Sequence, residues 1–393
     1  MFIDINSNSI NFHGDRICGD TFVSQYIPNQ RRTVAVLSDG MGHGVKAGIL
    51  SRLTASIVVK MGSFNESITK ITKTILATLP ICQVRGLSYS TFTIVDIDHN
   101  TGIVSIIEYD NPQVIVVKHN EKLILNRERT IIDNTLNPNA KSSQIVFLSK
   151  FVSQEGDRIV TCSDGVTQSG LGRDEYPFGW GDRNLSKFVI DTINEIPTIS
   201  SRELSLKVLN SAYDKDLLRA KDDISCAVFY FRESKRLLLC SCPPSTRPGF
   251  DKLVDNIKNE SSKTIVCGYP LAEQIAAKLN STIRKNFSST DPNLPPLWFI
   301  NGVDLVTEGF ITLTRVLDIF ENYENCPQGR GPAYKIVKML MEADHIQMVI
   351  GLNESTSFDT QFIDNFPLRR KQLERIGALL ETKFAKAVTK TYL

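Results

Sequence analysis

The sequence predicts an α+β protein in two parts: a four-layer α-β-β-α antiparallel sandwich over residues 1–234, then a smaller α/β domain with a mainly parallel sheet over 235–393. Three observations predict it. Short β-branched and aromatic runs succeed one another through the first part, joined by hairpin-length connections. Those runs are nearly continuous in apolar character rather than alternating, so both faces of the strands need cover. After "RESK" (232–235) strands and helices alternate one for one, which is the rhythm of βαβ units.

The strands of the first part read, in order, "TVAVLSD" (33–39), "STFTIVDID" (90–98), "GIVSIIEY" (102–109), "QVIVVKH" (113–119), "QIVFLS" (144–149), "DRIVTCSD" (157–164) and "ISCAVFYF" (224–231). "DIDHNTG" and "DNP" have the turn residues of hairpin connections. Helices are predicted at 46–62 and 64–79, from apolar residues three and four apart, the second capped by Asn65. A later helical pair covers 184–196 and 201–217. Hairpin-joined strands imply antiparallel sheets, and two sheets face to face with helices outside bury all of this surface.

In the second part "RLLLCSC" (236–242) leads to a helix at 250–260, and "KTIVCG" (263–268) to one at 271–286. "LWFINGVDLVTEG" (297–309) precedes helices at 311–323 and 333–343; "HIQMVIGLN" (345–353) precedes a last helix at 367–388.

Composition narrows the function. The formal net charge is +2, and Lys and Arg are not clustered in excess, which argues against a nucleic-acid surface. There is no run of about 18 apolar residues, so no membrane-spanning helix is expected. The N-terminus has neither a basic nor an apolar leader region, so a cytoplasmic protein is expected. Eight scattered cysteines fit reduced thiols better than a disulfide framework. Cys240 and Cys242 read as buried thiols of a strand, since no further metal ligands stand near them.

The chemistry concentrates in a repeated pattern. "TVAVLSDGMG" (33–42) and "RIVTCSDGVT" (158–167) are both apolar strands that end in Ser-Asp-Gly. Such a strand end projects a carboxylate and a carbonyl into one space, and the glycine permits close backbone approach. Asp222-Asp223 stands just before a strand, and Asp20 lies in "CGDTF". Carboxylates converging from separate strand ends repel one another and need a cation. Oxygen-only ligands suit Mg²⁺ or Mn²⁺, and a carboxylate shared by two such ions makes a hydrolytic two-metal site.

"CGDTF", "VLSDGMGHGVKA", "STFTIVDID", "TCSDGVTQS" and "KDDISCAVFYF" occur in this order over residues 18–231. Together they resemble the metal-dependent serine/threonine phosphatases of the PPM (type 2C) family, and within it the bacterial stage II sporulation protein E branch. The resemblance implies two Mn²⁺ or Mg²⁺ ions, with Asp39 bridging both and Gly40 lending its carbonyl. It places Asp164 and Asp222 on the second ion and Asp20 on the first, directly or through water, with Asp223 the alternative to Asp222. It implies attack of an activated water on phosphoserine or phosphothreonine, with no phosphoenzyme. Cys162, next to this site in sequence, reads as a buried strand thiol. The implied substrate is a phosphorylated regulatory protein such as an anti-sigma factor antagonist.

The proton donor for the leaving oxygen is open. Eukaryotic members carry a His directly after Asp-Gly, where this chain has Met41; His43, two residues on, either takes the role or serves the turn. Arg16, four residues before Asp20, either binds phosphate or is a solvated charge. "EYDNPQV" (108–114) reads as structural.

Residues 235–393 show no catalytic constellation. Asp304 and Glu308 either bind a cation or belong to a strand-to-helix turn. Gly268 has a ligand-friendly position in a parallel sheet, and "CPQGRGP" (326–332) lacks phosphate-loop spacing. A regulatory or homodimerisation role is expected before a small-molecule sensor. The alternative to an enzyme is a catalytically weak phosphatase-fold module that binds or senses through this second domain.

Overall fold

The computed structural model describes residues 1–79, 90–132, 144–259, 262–286, 296–323, 329–353, 362–363, 366–384 and 386–393. The expected "CPQGRGP" loop lies partly outside them. The chain divides into two compact units, Met1–Glu233 and Ser234–Leu393.

The first unit holds β1 (Phe2–Ile10), β2 (Asp20–Ile27), β3 (Arg32–Gly40), α1 (Gly44–Ser63), α2 (Ile68–Thr78), β4 (Ser90–Asp98), β5 (Ile103–Tyr109), β6 (Ile115–Lys118), β7 (Glu121–Lys122), β8 (Glu128–Ile132), β9 (Gln144–Val152), β10 (Arg158–Cys162), α3 (Asp164–Thr167), α4 (Gly181–Glu195), α5 (Ser201–Lys215) and β11 (Ile224–Arg232). They form two sheets, ordered β1-β11-β10-β6-β7 and β2-β3-β4-β5-β9-β8. Neighbours in both run antiparallel.

The continuous apolar runs have a direct cause. Successive side chains of a strand point to opposite faces, and in β3 both faces are covered. Ala35 joins Val95, Val104, Ile106, Val116, Ile159, Phe229 and Phe231 in a cluster drawn from both sheets. Its neighbours Val34 and Val36 pack with Val58, Ile71 and Ile75 of α1 and α2. The other sheet behaves likewise: Val160 and Val228 pack with Val189, Ile193, Leu204 and Val208 of α4 and α5.

Ser67, not Asn65, caps α2, accepting from the Lys70 amide at 3.3 Å. Asn65 sits two residues earlier with φ 62° in the turn after α1, a left-handed conformation that Asn tolerates. Ser200 and Glu203 form a reciprocal capping box on α5.

The second unit holds β12 (Arg236–Ser241), α6 (Arg247–Asn259), β13 (Lys263–Cys267), α7 (Tyr269–Lys278), β14 (Arg284–Asn286), β15 (Leu297–Ile300), β16 (Val303–Thr307), α8 (Phe310–Glu321), α9 (Pro332–Glu342), β17 (His345–Ile350), β18 (Phe362–Ile363), β19 (Phe366–Pro367), α10 (Leu368–Thr382) and β20 (Ala387–Tyr392). Its main sheet is ordered β14-β15-β16-β13-β12-β17-β20. β16, β13, β12, β17 and β20 run parallel, with β15 and β14 antiparallel at one edge. Leu238 and Cys240 pack with α6 and α7, while Leu237 and Leu239 pack with α8, α9 and α10.

Three expectations fail here. The helix expected at 271–286 stops at Lys278, and Arg284–Asn286 form β14 instead. "LWFINGVDLVTEG" is a hairpin rather than one strand: Asn301-Gly302 turns between β15 and β16, with Gly302 at φ 87°. Asn-Gly between apolar runs is a strong hairpin signal. The last helix stops at Thr382, and "AVTKTY" adds a parallel edge strand to β17; its β-branched Val388, Thr389 and Thr391 suit a strand.

Candidate metal centre

Four strand ends bring the predicted acids to one region of the first unit. Asp20 opens β2 and lies directly opposite Asp39, near the end of β3, in the antiparallel register. Asp164 comes just after β10 and opens α3. Asp222 and Asp223 immediately precede β11, which pairs with β10.

Glycines let these segments close on one another. A Cβ on Gly40 would stand 2.1 Å from the Ala47 carbonyl oxygen of α1. One on Gly165 would stand 2.2 Å from the Asp223 carbonyl oxygen, and one on Gly19 2.7 Å from Asp223 Oδ2. No side chain fits at such distances. The serines of the two Ser-Asp-Gly loops are fully buried. Ser38 Oγ lies 2.6 Å from Ser90 Oγ, which itself bonds the Asp39 carbonyl at 3.0 Å. Ser163 Oγ accepts the Ser225 amide at 3.0 Å.

The carboxylates themselves are poorly satisfied. Asp20 is only 8% exposed, and neither of its oxygens has a hydrogen-bond partner among the described residues. Asp164 Oδ1 is in the same state, while its Oδ2 accepts from Gln168 Nε2 at 2.8 Å. Asp222 Oδ1 accepts the Asp223 amide at 2.8 Å. Asp223 differs: Oδ1 accepts the Phe12 amide at 3.0 Å and Oδ2 the Gly19 amide at 2.9 Å.

Crowding shows in the proton affinities. Burial, with the charges of Asp223 and Asp222, pushes Asp20 up to about 7 against the nearby Ser225 and Ser163 hydroxyls. Burial, then the charges of Asp20, Asp164 and Asp222, holds Asp39 well above the usual carboxylate range. Burial and Asp164 push Asp222 up to about 6. Buried like charges favour protons, and a divalent cation reverses that preference.

These residues fit a hard divalent ion on two grounds: their donors are all oxygens, and three buried carboxylate oxygens lack any partner among the described residues. They do not form a ready cage. Among the described residues no three acidic, imidazole or thiol groups are gathered to hold one ion. Gln168 and the Asp223 amide take up oxygens of Asp164 and Asp222. Mg²⁺ takes only one or two carboxylates and keeps several waters, so a three-acid cage is not its requirement.

Around this cluster, His43 precedes α1, with Nδ1 donating to Asp15 Oδ2 at 2.7 Å and its ring stacked on Phe12 at 4.1 Å. Arg16 is exposed on the same 11–19 segment and makes no ion pair among the described residues. Cys162 is a buried strand thiol whose ionisation burial strongly opposes. Asn111 of "EYDNPQV" accepts from Thr91 Oγ1 at 2.7 Å and donates to Thr93 Oγ1 at 3.3 Å, a structural duty.

Sequence reasoning missed Phe12, Asp15 and Gly19, and left Asp223 without its anchoring duty. Gly19 was signalled by its place before Asp20; Asp15 and Phe12 carry no local pattern.

In the second unit Asp304 Oδ2 accepts the Thr264 amide at 2.7 Å. Glu308 accepts the Phe310 and Ile311 amides at 3.1 and 3.0 Å, capping α8. Gly268 precedes α7 at φ 131°, and Arg330 is exposed.

The family model described as stage II sporulation protein E (SpoIIE) matches residues 29–232. The phosphatase domain of SpoIIE from Bacillus subtilis is 13% identical, with 58% of this chain and 92% of that chain covered and a TM-score of 0.42. The RsbU and RsbW domains of a Mycobacterium tuberculosis protein are 14% identical over 71% of this chain and 70% of that one, at a TM-score of 0.47. A serine/threonine phosphatase from S. agalactiae is 16% identical over 59% and 100%, at 0.43. Similarity at this level says nothing of activity. No curated protein matches the chain.

Proposed function

The chain belongs to the stage II sporulation protein E family, and we propose that it is a metal-dependent protein phosphatase acting on phosphoserine or phosphothreonine. The observation that carries this reading is Asp20: a buried carboxylate neither of whose oxygens has a hydrogen-bond partner among the described residues, facing Asp39 across a strand pair. A fold does not bury such a group for stability. It suits a site completed by a cation.

Asp39, the Gly40 carbonyl and Asp20 would hold one Mn²⁺ or Mg²⁺ ion. For a second ion the family resemblance names Asp39, Asp164 and Asp222; since the described residues gather no three acids on one ion, these side chains would have to close on it. Asp222 is preferred to Asp223 because both oxygens of Asp223 accept backbone amides. When bound, the ions supply an activated water and neutralise phosphoryl oxygens. The chain's own part is to fix five oxygen donors on strand ends, at the cost of mutual repulsion, and to keep Ser38 and Ser163 bonded behind them.

The clusters between and outside the sheets support a four-layer α-β-β-α reading of the first unit. We read the second unit, residues 235–393, as a regulatory or dimerisation domain, since Asp304 and Glu308 accept backbone amides. Family membership suggests a phosphorylated regulatory protein as substrate, such as an anti-sigma factor antagonist, in the cytoplasm. No described helix is long and apolar enough to cross a membrane.

The test is hydrolysis of a phosphoserine peptide with Mn²⁺, with and without chelator, alongside calorimetric Mn²⁺ titration. Metal-dependent turnover supports the proposal. Neither turnover nor Mn²⁺ binding would sink it.

A further inference from the structure

We propose that the turn at Leu217–Leu218, between α5 and β11, is a docking surface for the phosphorylated substrate and takes an apolar side chain that flanks the phosphoserine. The inference rests on the phosphatase reading above and says what that site selects.

The turn combines two unfavourable features. Leu217 and Leu218 have φ 55° and 61°, in the left-handed region where a bulky residue is an outlier. A helix commonly ends on one left-handed residue, usually glycine; α5 is followed by two leucines in succession. Both side chains also face water, at 65% and 56% exposure, so no core packing offsets the strain. Strained residues persist only where their surroundings over-determine them, and they cluster at ligand clamps and switch regions.

The surroundings here are specific. Asp216 is buried; its Oδ1 accepts the Gly170 amide at 2.7 Å and its Oδ2 the Lys221 amide at 3.2 Å. The Leu217 amide donates to the Asp214 carbonyl and the Leu218 amide to the Tyr213 carbonyl, each at 3.0 Å. Lys221 Nζ donates to the Leu171 carbonyl at 2.7 Å, which brings a third exposed leucine beside the turn.

These bonds tie the turn to both segments that lead into the metal centre. Gly170 follows Gln168, which bonds Asp164, and Lys221 directly precedes Asp222. Four residues of chain span at most about 14 Å, so Leu218 stands no farther than that from Asp222. An extended peptide covers the same distance in about four residues. A side chain flanking a phosphoserine at the centre therefore reaches the leucines.

The charges suit the same occupant. Arg219 is exposed and makes no ion pair among the described residues, and Lys221 is exposed beside it. Asp216, the acid of the 216–221 stretch, is engaged by two amides. An anionic segment is attracted to this turn, and a basic flank is repelled.

The experiment measures kcat/KM of the full-length protein with Mn²⁺ on phosphoserine peptides in which one Leu, Ala, Glu or Lys is moved through the flanking positions. 4-Nitrophenyl phosphate serves as a substrate without a flank. The test variant combines Leu217→Asn with Leu218→Asn, because Asn is polar and tolerates the left-handed conformation; Leu217→Gly with Leu218→Gly repeats it without a side chain. The unmodified protein is expected to prefer Leu to Ala by about 10-fold at one or two positions and to disfavour Lys there. Both variants should lose that preference, lose more on the Leu peptide than on the aryl ester, and melt no lower than the unmodified protein. A preference absent from the unmodified protein, or kept by both variants, overturns the inference. Equal losses on peptide and aryl ester also overturn it, as does a lower melting temperature in both variants, which would mean that the leucines serve stability. Each of these leaves the phosphatase reading standing. No turnover of any substrate by the unmodified protein overturns both.

Discussion

The two Ser-Asp-Gly loops share three residues and diverge immediately past the aspartate. After Asp39 the strand runs on to Gly40 and α1 begins only at Gly44. After β10, Asp164 itself opens a helix. Yet Ser38 and Ser163 both bond across to a neighbouring strand, and Gly40 and Gly165 both meet a carbonyl oxygen where a Cβ would be. Serine and glycine therefore have structural duties in both loops. Asp39 meets the charges of Asp20, Asp164 and Asp222, and Asp164 has its bond from Gln168. The comparison separates the motif into a scaffold pair and a carboxylate that the scaffold presents.

That separation can be broken by substitution. The largest effect is expected at Asp39→Asn, with a loss of Mn²⁺-dependent kcat on the order of 1000-fold or about 4 kcal/mol of barrier. Asp164→Asn should lose less, because Asp39 meets the charges of three other acids. Circular dichroism should show both variants folded. Equal, small losses would dissolve the distinction.

Gly40→Ala and Gly165→Ala should act oppositely, on folding before chemistry. Each forces a Cβ onto backbone and should cost about 1–3 kcal/mol in urea unfolding. A neutral result at either position would show that the loops have room.

The metal-free protein should also carry a pH signature. Asp20 binds protons more tightly folded than unfolded, with its value raised to about 7. Its contribution is therefore full below about pH 4 and is lost as pH rises through about 7. Mn²⁺ should raise the melting temperature more at pH 7.5 than at pH 5, and Asp20→Asn should flatten the metal-free profile. A metal-free protein more stable at pH 7.5 than at pH 5 because of Asp20 would reverse the sign and refute the burial argument.

The smallest effects belong to the serines. Ser38→Ala and Ser163→Ala should each cost about 1 kcal/mol. If only one does, the two loops are less alike than their hydrogen bonds suggest.

Much of this site was legible because its residues announce themselves locally. An apolar strand that ends in Ser-Asp-Gly reads the same way twice, and Asp20, Asp222 and Asp223 stand at strand ends. Choosing between Asp222 and Asp223 was not legible, since it depends on which carboxylate meets the Phe12 and Gly19 amides some 200 residues away in sequence. Asp15 was invisible for the same reason: its partner precedes α1. The contact of His99 Nε2 with Thr33 Oγ1, 2.7 Å across the β3–β4 end, likewise carries no local sequence signal. In the second unit the strand–helix alternation was plain. β20 was not, because an edge strand directly after a helix continues its charged and apolar mixture without a break.

The crossing between β1 and β2 joins two different sheets, and a single side chain grips it at both ends. Asparagine at 223 would offer one acceptor where two amides wait, and its own N–H₂ would confront the other. The strap would hang by one rivet, and everything it carries would lose its bearing together rather than piece by piece.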